Sequence, residues 1–312
     1  MLLRLKGNCC LFGRLSSGPA FDWIKSKNIK KMEILPFHMD HVPEFFMRKC
    51  KLELMESPEN KVKSIEELRT MLKSDKKISR VNFHEDLLVQ YLRRSKYDVK
   101  KSFKQIQNCI AVREKQATLF KSIPDEYFSS KVSTRCLAVL PKRCPEGCTI
   151  ILCQFGLWDT SELSFEDFKR MALVMLFQIL RDPMNQINGL KFIHDFSGAS
   201  IHHLKYCTPQ NMLLLNHLGL QCIPGRLKEI HCLYDSIVLK TLWAIAKLML
   251  TEKIKQRVFI HSNPEELFDY FPRSVLPAEY GGEVQDIYSE DIVRKANKAN
   301  KEYTVAGQAN FY

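Results

Sequence analysis

The sequence lacks a long apolar run of the kind that crosses a membrane. The apolar run that stands out, residues 237–250, has 14 residues, whereas a membrane-spanning helix needs about 20. Only Lys240 and Lys247 interrupt it, and two helical turns separate these lysines, so they share one face. A helix that is apolar on nearly all sides must be buried or must face something apolar other than water.

The motifs of common enzyme classes are also missing. The sequence has no Gly-x-Gly-x-x-Gly after a strand, no P-loop, no Gly-x-Ser-x-Gly elbow and no His-Glu-x-x-His. His194 and Asp195 are neighbours in a strand pattern, so their side chains point to opposite faces and cannot form a dyad. His202 and His203 are adjacent and make a poor metal pair. We therefore expect no catalysis, no cofactor and no metal.

Acidic residues are scarce at the N-terminal end. Residues 1–31 contain seven lysines and arginines and one acid, Asp22, so half of the chain's net charge of +12 lies there. The remainder is only mildly basic, which argues against a nucleic-acid-binding face. No secretory signal is expected, because Arg4, Lys6 and Arg14 break the apolar pieces. The segment resembles a weak mitochondrial presequence, but we favour a disordered extension.

The eleven cysteines are an odd number and have no zinc-like spacing. Cys144 and Cys148 bracket Pro-Glu-Gly, which indicates a turn with free thiols, and no second Cys/His pair follows. Others lie in apolar surroundings, where reduced cysteine packs as a small hydrophobic residue: Cys109, Cys153, Cys207, Cys222 and Cys232. This usage indicates a reducing compartment, so we expect a cytoplasmic protein.

The first half of the chain has the pattern of a helical domain. Ser64-Ile-Glu-Glu before an apolar spacing predicts a short capped helix. Apolar residues at helical spacing continue from Leu87 to Val112. We therefore predict an N-terminal helical domain over residues 46–130, preceded by a basic, disordered extension over residues 1–45.

Strands and helices alternate after residue 135. Ser164-Phe-Glu-Asp and Thr208-Pro209 have the composition of helix starts, and Asp182-Pro ends the first of these helices. Alternation of this kind predicts an α/β fold with a mostly parallel sheet. We assign residues 131–283 to this domain and residues 284–312 to a C-terminal tail. The predicted strands are 149–155, 190–196, 228–234 and 258–261.

Basic residues flank the apolar run on both sides. Arg226 and Lys228 are two apart in or beside a strand, and Lys253 and Arg257 are four apart in a predicted helix. Each pair therefore shares one face. Ordinary solvated charge is one interpretation. The other is a lid over a lipid cavity that docks on an anionic membrane.

Inward strand positions and the facing sides of the covering helices are predicted to line one apolar cavity. The residues assigned to this lipid-binding pocket are Phe155, Phe192, His194, Leu215, Leu218, Ile230, Leu233, Ile237 and Trp243.

Seven segments stand out in one order: Leu-Leu-Val-Gln-Tyr-Leu-Arg-Arg-Ser-Lys-Tyr-Asp-Val at 87–99, Trp158-Asp159, Asn-Gly-Leu-Lys-Phe-Ile-His-Asp-Phe-Ser-Gly at 188–198, Thr208-Pro209, Ile-Pro-Gly-Arg-Leu-Lys-Glu-Ile-His at 223–231, Thr-Glu-Lys-Ile-Lys-Gln-Arg at 251–257 and Leu-Pro-Ala-Glu-Tyr-Gly-Gly at 276–282. Together they resemble the CRAL-TRIO lipid-binding and transfer family, especially its tocopherol-transfer and retinaldehyde-binding branches. The resemblance covers about residues 60–283, and the joint spacing of so many motifs makes it specific.

The resemblance implies a helical domain followed by an α/β domain that encloses a hydrophobic cavity, closed by a mobile gate helix. It implies a monomer that binds a tocopherol- or retinoid-like lipid and transfers it between membranes, on which it is peripheral. A basic cleft for phosphoinositide headgroups falls on Arg226, Lys228, Lys253 and Arg257.

Some positions depart from the family pattern. A further family arginine falls on Ser95, so that contact is lost unless Arg93 or Arg94 replaces it. Serines near the tocopherol hydroxyl fall on Ala172 and Leu176, which argues against tocopherol itself. Two alternatives stay open: a phosphoinositide-regulated adaptor with a vestigial cavity, and a hydrolase or isomerase acting on the bound lipid. The missing enzyme motifs count against the latter.

Overall fold

The structure is a computed structural model that describes residues 42–128, 134–234, 236–285, 287 and 289–305. All of these residues belong to one unit, Met32–Tyr312. The extension predicted for residues 1–45, with its presequence-like alternative, lies outside the described residues except at its last four positions.

Four helices form the N-terminal part of the described chain. Ser57 accepts a hydrogen bond from the Asn60 amide and Pro58 occupies the first turn, so the second helix starts there and not at Ser64. The predicted cap at Ser64 is therefore wrong, because a serine followed by proline is a stronger start. The four helices are α1 (Glu44–Leu54), α2 (Pro58–Ser74), α3 (Glu85–Arg94) and α4 (Val99–Lys115).

A five-stranded sheet follows, in the order β1-β2-β3-β4-β5. The first strand pairs antiparallel with the second, and the remaining pairs are parallel. The predicted α/β fold with a mostly parallel sheet is confirmed. The sequence did not predict the first strand, which has only three residues and no alternation. The strands are β1 (Leu137–Val139), β2 (Thr149–Gln154), β3 (Leu190–Asp195), β4 (Leu227–Leu233) and β5 (Val258–His261).

Six α-helices lie between β2 and β5 in the described chain: α5 (Phe165–Ile179), α6 (Pro183–Asn188), α7 (Ile201–Leu204), α8 (Pro209–His217), α9 (Ile237–Ala246) and α10 (Glu252–Lys255). α5 ends at Ile179, three residues before the Asp182-Pro pair that was predicted to end it, and Asp182 caps α6 by accepting from the Met184 backbone N–H. The predicted helix over residues 237–250 is shorter than expected, because a turn begins at Lys247. No helix among the described residues combines the length and apolar character needed to cross a membrane.

The segment assigned to a C-terminal tail contains a helix, α11 (Ser289–Val305), that packs on α5 and β1. Its buried side chains include Ile292, Val293 and Ala296. The Asn297 amide accepts from the Ile123 N–H at 2.9 Å and donates to the Ile123 carbonyl at 3.0 Å. This packing was not predicted, because lysine and asparagine interrupt the apolar positions of the segment.

The two faces of the sheet have different surroundings. On one face, Ile193 and Leu233 pack among residues that follow β5, including Leu267, Phe271 and Tyr280. The Tyr280 hydroxyl also donates to the Asp195 carboxylate at 2.6 Å. On the other face, the following residues form a second cluster: Phe196, Cys232, Val238 and Leu239, with Phe155, Leu204, Ile230, Leu242 and Val258 packed against them. We call this side of the sheet the apolar face.

Candidate functional site

The central strand is covered unequally on its two sides. Along β3, Lys191, Ile193 and Asp195 are buried, whereas Phe192 and His194 on the apolar face are only partly buried. A central strand of a covered sheet is normally buried on both faces. The apolar face is therefore incompletely filled by protein atoms at the middle of the sheet.

Aromatic rings surround this incompletely covered position. The ring of His194 lies 5.6 Å from that of Phe155 and 5.9 Å from that of Phe192, in near-perpendicular arrangements. Phe155 also stacks on Phe196 at 4.7 Å. The short helical turn Phe155–Leu157 after β2 places Phe155 beside the end of β3. The surroundings are thus apolar and aromatic, with one imidazole among them.

His194 is the polar group of this surface. Burial lowers the pKa of His194 to about 4, so its ring is neutral at neutral pH. Within the described part of the chain, no hydrogen bond reaches either ring nitrogen. A neutral imidazole offers one donor and one acceptor. His194 therefore presents one unused donor and one unused acceptor to the apolar face.

The structure brings some of the predicted pocket residues together and separates others. Phe155 and Ile230 lie in the apolar-face cluster. Leu233 lies in the cluster on the opposite face of the sheet, so the structure separates it from Phe155 and Ile230. Leu233 and Ile230 are three apart on one strand, and alternation directs such residues to opposite faces.

The helix-borne pocket residues also differ in position. Ile237 is 65% exposed and Leu215 is 39% exposed, so neither is enclosed at the apolar face. Leu218 is buried and Trp243 is partly buried. Enclosure by α9 comes instead from Val238 and Leu239, which the sequence analysis did not select.

The helix α9 has apolar residues on its outer side as well. Besides Ile237, Leu248 in the turn after α9 is 80% exposed. Ile201 and Leu213, on the helices α7 and α8 that contact α9, are 67% and 54% exposed. Apolar surface thus continues from the cluster side of α9 to its solvent side.

Three of the four predicted basic residues lie at the start of β4. The guanidinium of Arg226 donates to the Ile187 carbonyl and lies 3.6 Å from the Glu53 carboxylate. The guanidinium of Arg257 donates to the Leu227 carbonyl. Burial lowers the pKa of Lys228, and the nearby charge of Arg226 lowers it further. These cations are therefore close together and partly buried.

Arg94 joins this group from the helical part of the chain. Burial lowers the pKa of Arg94, and the charges of Arg226 and Arg257 lower it further. Its Nη2 donates to the Leu220 carbonyl at 3.5 Å, and its Nε is buried without an acceptor among the described residues. We call Arg94, Arg226, Lys228 and Arg257 the basic cluster. The positive charges of these four side chains lie close together, and few carboxylates lie near enough to offset them.

The structure answers which arginine stands near the position of Ser95. Arg93 points elsewhere and binds the Glu56 carboxylate through Nε and Nη2, at 2.8 and 2.7 Å. Arg94 alone of the two contributes to the basic cluster. Lys253 is exposed on α10, and no hydrogen bond or ion pair joins it to that cluster within the described residues.

Known proteins resemble this chain in sequence. Residues 134–282 match the sequence model of the CRAL/TRIO domain, which confirms the resemblance predicted from the motifs. The alpha-tocopherol transfer protein-like proteins of Homo sapiens and Mus musculus are 25% identical over 248 residues, which cover 79% of this chain and 72% of theirs. Clavesin-1 of Rattus norvegicus is 28% identical over 240 residues, 76% of this chain and 68% of its own.

A crystal structure of Sfh5 superposes with a TM-score of 0.46 at 10% identity, over 81% of this chain and 98% of that one. This likeness is too distant to support an argument about function.

Proposed function

We propose that this chain, which carries a CRAL/TRIO domain over residues 134–282, binds one small hydrophobic lipid at the apolar face and transfers it between membranes as a monomer. The observation that supports this most directly is the partial exposure of Phe192 and His194 on a central strand. An apolar ligand lying there would remove this surface from water, which stabilises the complex in proportion to the area covered. We propose no chemical step at His194, because within the described residues its ring has no hydrogen bond to an acidic or nucleophilic side chain.

The ligand is proposed to carry one hydrogen-bonding group on an otherwise apolar body, in the tocopherol- or retinoid-like class. Neutral His194 would donate to or accept from a hydroxyl or carbonyl on that body. The rings of Phe155 and Phe192 flank the imidazole and fit an apolar neighbour. The polar atom fixes the orientation of the ligand, and the apolar walls select its shape.

The helix α9 is proposed to act as the gate. Its inner side covers the apolar face through Val238 and Leu239, whereas Ile237 on its outer side is exposed. A helix that is apolar on both sides loses little when its outer side enters the interfacial region of a membrane. Opening at the membrane would give an apolar molecule a path that avoids water.

Native mass spectrometry of protein purified from cells tests the lipid proposal. We expect a stoichiometric, non-covalent adduct with the mass of a small lipid, which organic extraction removes. A chain that is bound to membranes or other proteins yet never carries a lipid would contradict lipid transfer. That outcome would favour the alternative, a phosphoinositide-regulated adaptor.

The basic cluster is proposed to bind the headgroup of a phosphoinositide and so hold the protein at the cytoplasmic surface of a membrane. Arginine offers two parallel donors to a phosphate, and lysine offers a point charge. The buried Nε of Arg94, which has no acceptor among the described residues, is one such available donor. The family resemblance adds Lys253, an exposed cation outside the basic cluster, to this proposed site.

Replacing Arg94 with alanine should weaken binding to vesicles that contain phosphatidylinositol bisphosphate about tenfold. Loss of one charge-assisted hydrogen bond costs roughly 1.5–3 kcal/mol, and 1.4 kcal/mol corresponds to tenfold. Arg257→Ala should act in the same direction, and both effects should shrink at high salt because exposed charges are screened. Vesicle flotation over a salt series measures this.

The matched controls are Lys100→Ala and Lys104→Ala, which remove exposed cations from α4. They should change vesicle binding by much less than Arg94→Ala does. If they weaken binding equally, binding comes from the overall positive charge and the headgroup site is wrong. Urea unfolding of each variant checks that Arg94→Ala leaves the fold intact.

A further inference from the structure

The turn between β1 and β2 holds two cysteines directly opposite each other. The Gly147 amide donates to the Cys144 carbonyl at 2.8 Å, and the Cys144 amide donates to the Cys148 carbonyl at 3.0 Å. Gly147 has a φ of +82°. These bonds close a tight turn over residues 145–147, within the longer connection between β1 and β2, with glycine at the left-handed position.

Such a loop places the flanking side chains on the same side of the hairpin. Opposed residues that share backbone hydrogen bonds have Cα atoms about 5.5 Å apart. A disulfide needs a Cα separation of about 4.4–6.8 Å. The backbone therefore already has the geometry that a Cys144–Cys148 disulfide requires, although both thiols are free.

Ammonium groups surround one end of this turn. The Lys49 Nζ donates to the Glu146 carbonyl at 3.2 Å and to the Asn188 Oδ1 at 2.9 Å. The Lys191 Nζ lies 3.5 Å from the Glu146 carboxylate. The Cys148 thiol donates to the Asn188 carbonyl at 3.3 Å, so it lies among the same groups.

These neighbours divide the roles of the two thiols. The hydrogen bond from Cys144 lowers the pKa of Cys148, burial opposes this shift, and the charges of Lys191, Lys228 and Lys49 support it. The same hydrogen bond, followed by burial, raises the pKa of Cys144. Cys148 is therefore the thiol that ionises more readily to the thiolate, which is the nucleophile in thiol chemistry, and Cys144 is the one that holds its proton more firmly.

Another pair of neighbouring cysteines in the sheet lacks these features. Burial raises the pKa of Cys136 to about 12 and raises that of Cys153 well above its ordinary value. No cation lowers either pKa. Cys136 and Cys153 thus serve as an internal reference for a buried, unactivated pair.

We propose that Cys144 and Cys148 form a redox site that hydrogen peroxide, a small uncharged oxidant, converts reversibly into an intramolecular disulfide. The two thiols are only 3% and 1% exposed, but Pro145 and Glu146 directly above them are exposed. A small oxidant therefore reaches the two thiols once the residues of this turn move aside. The site does not depend on lipid binding.

The reaction balances with peroxide as the only oxidant. The Cys148 thiolate attacks one peroxide oxygen, the O–O bond breaks, and Cys148 sulfenic acid and hydroxide result. That hydroxide takes the proton of Cys144, whose thiolate then attacks the Cys148 sulfur and expels a second hydroxide. The proton first released by Cys148 neutralises it. Two thiols and one peroxide thus give one disulfide and two waters, and a dithiol reductant reverses the change.

The test uses the full chain, first reduced and then exposed to a time course of dilute peroxide. Free thiols are alkylated under denaturing conditions, and the chain is cut with a protease that cleaves after glutamate. Cleavage at Glu146 separates the two cysteines, so only a disulfide keeps their peptides together. The same two peptides also contain Cys136 and Cys153, so the joined peptides, lighter by two hydrogen atoms, are fragmented in the mass spectrometer to locate the bond. It should join Cys144 to Cys148, with Cys136 and Cys153 alkylated, and reduction should separate the peptides.

The disulfide should form at least about tenfold faster than any oxidation of Cys136 or Cys153, because each pKa unit changes the thiolate fraction about tenfold. Cys144→Ser should leave a sulfenic acid on Cys148 that dimedone traps, and Cys153→Ser should leave the disulfide rate unchanged. Oxidation of Cys136 and Cys153 at an equal or higher rate would overturn the proposal. The comparison among cysteines of the unaltered chain stands even if a variant fails to fold.

Discussion

Replacing Glu56 with alanine should lower the free energy of unfolding by about 3–5 kcal/mol, the usual cost of breaking a buried ion pair from one side. The Glu56 and Arg93 side chains are only 6% and 7% exposed, and two hydrogen bonds of 2.7 and 2.8 Å join them. Arg93 also donates to Gln186 on α6 at 2.6 Å. The variant leaves the guanidinium buried with one neutral partner. Urea unfolding measures the loss.

Glu44→Ala is the matched control, because it removes a glutamate from the exposed pair with Arg48, whose side chains are 80% and 73% exposed. An exposed pair contributes about 0–1 kcal/mol. A second variant, Glu56→Ala with Arg93→Met, should regain much of the lost stability because no unpaired charge remains. If Glu56→Ala costs no more than Glu44→Ala, the buried pair does not stabilise the contact between α3 and the segment that joins α1 to α2.

Replacing Phe192 with aspartate should reduce lipid retention by more than about a hundredfold. A carboxylate on the apolar face costs several kcal/mol to desolvate against an apolar ligand, and about 2.7 kcal/mol corresponds to a hundredfold change in affinity. Phe192 is only partly buried, so the change should affect binding more than folding. Retention of a fluorescent lipid analogue on gel filtration measures the effect.

Val62→Asp provides the comparison, since Val62 is 57% exposed on α2, outside the apolar-face cluster. It should retain the lipid as the unaltered chain does. Undiminished retention in Phe192→Asp, with an unchanged urea midpoint, would mean that the ligand lies elsewhere in the molecule.

Local rules predicted the parts of the fold that depend on neighbouring residues. Ser164 and Thr208 accept the hydrogen bonds expected of helix caps, and four strands begin and end within a residue of their predicted limits. The strand β1 was missed because it forms only by pairing with β2. Three consecutive apolar residues do not by themselves predict such a pairing. The role of α11 was missed for the same reason: its partner lies at Ile123, far away along the chain.

The candidate site shows the same limit. Strand alternation was available in the sequence and would have separated Leu233 from Ile230. Which helix residues face inward was not available, because the turn that begins at Lys247 shortens α9 and sets its orientation.

Among the basic residues, some positions follow the spacing in the sequence and others depend on contacts between distant parts of the chain. Arg226 and Lys228 lie close together, as their spacing predicted. Lys253 and Arg257 do not share a helix, because α10 ends at Lys255 and Arg257 lies in the following turn. Arg94 reaches the cluster only because the helical part packs against the turn Leu218–Cys222. No spacing rule links residues 132 positions apart.

The position of α11 also bears on how the chain is made. Synthesis runs from the N-terminal end, and segments begin to fold as they emerge from the ribosome. The helix α11, which packs on β1 and α5, emerges after all five strands of the sheet, yet its Asn297 supplies the partners of the Ile123 backbone. Until α11 emerges, the Ile123 amide and carbonyl lack those partners and part of the apolar surface of α5 stays uncovered. The nascent chain therefore completes this side of the molecule only after the whole sheet has been synthesised.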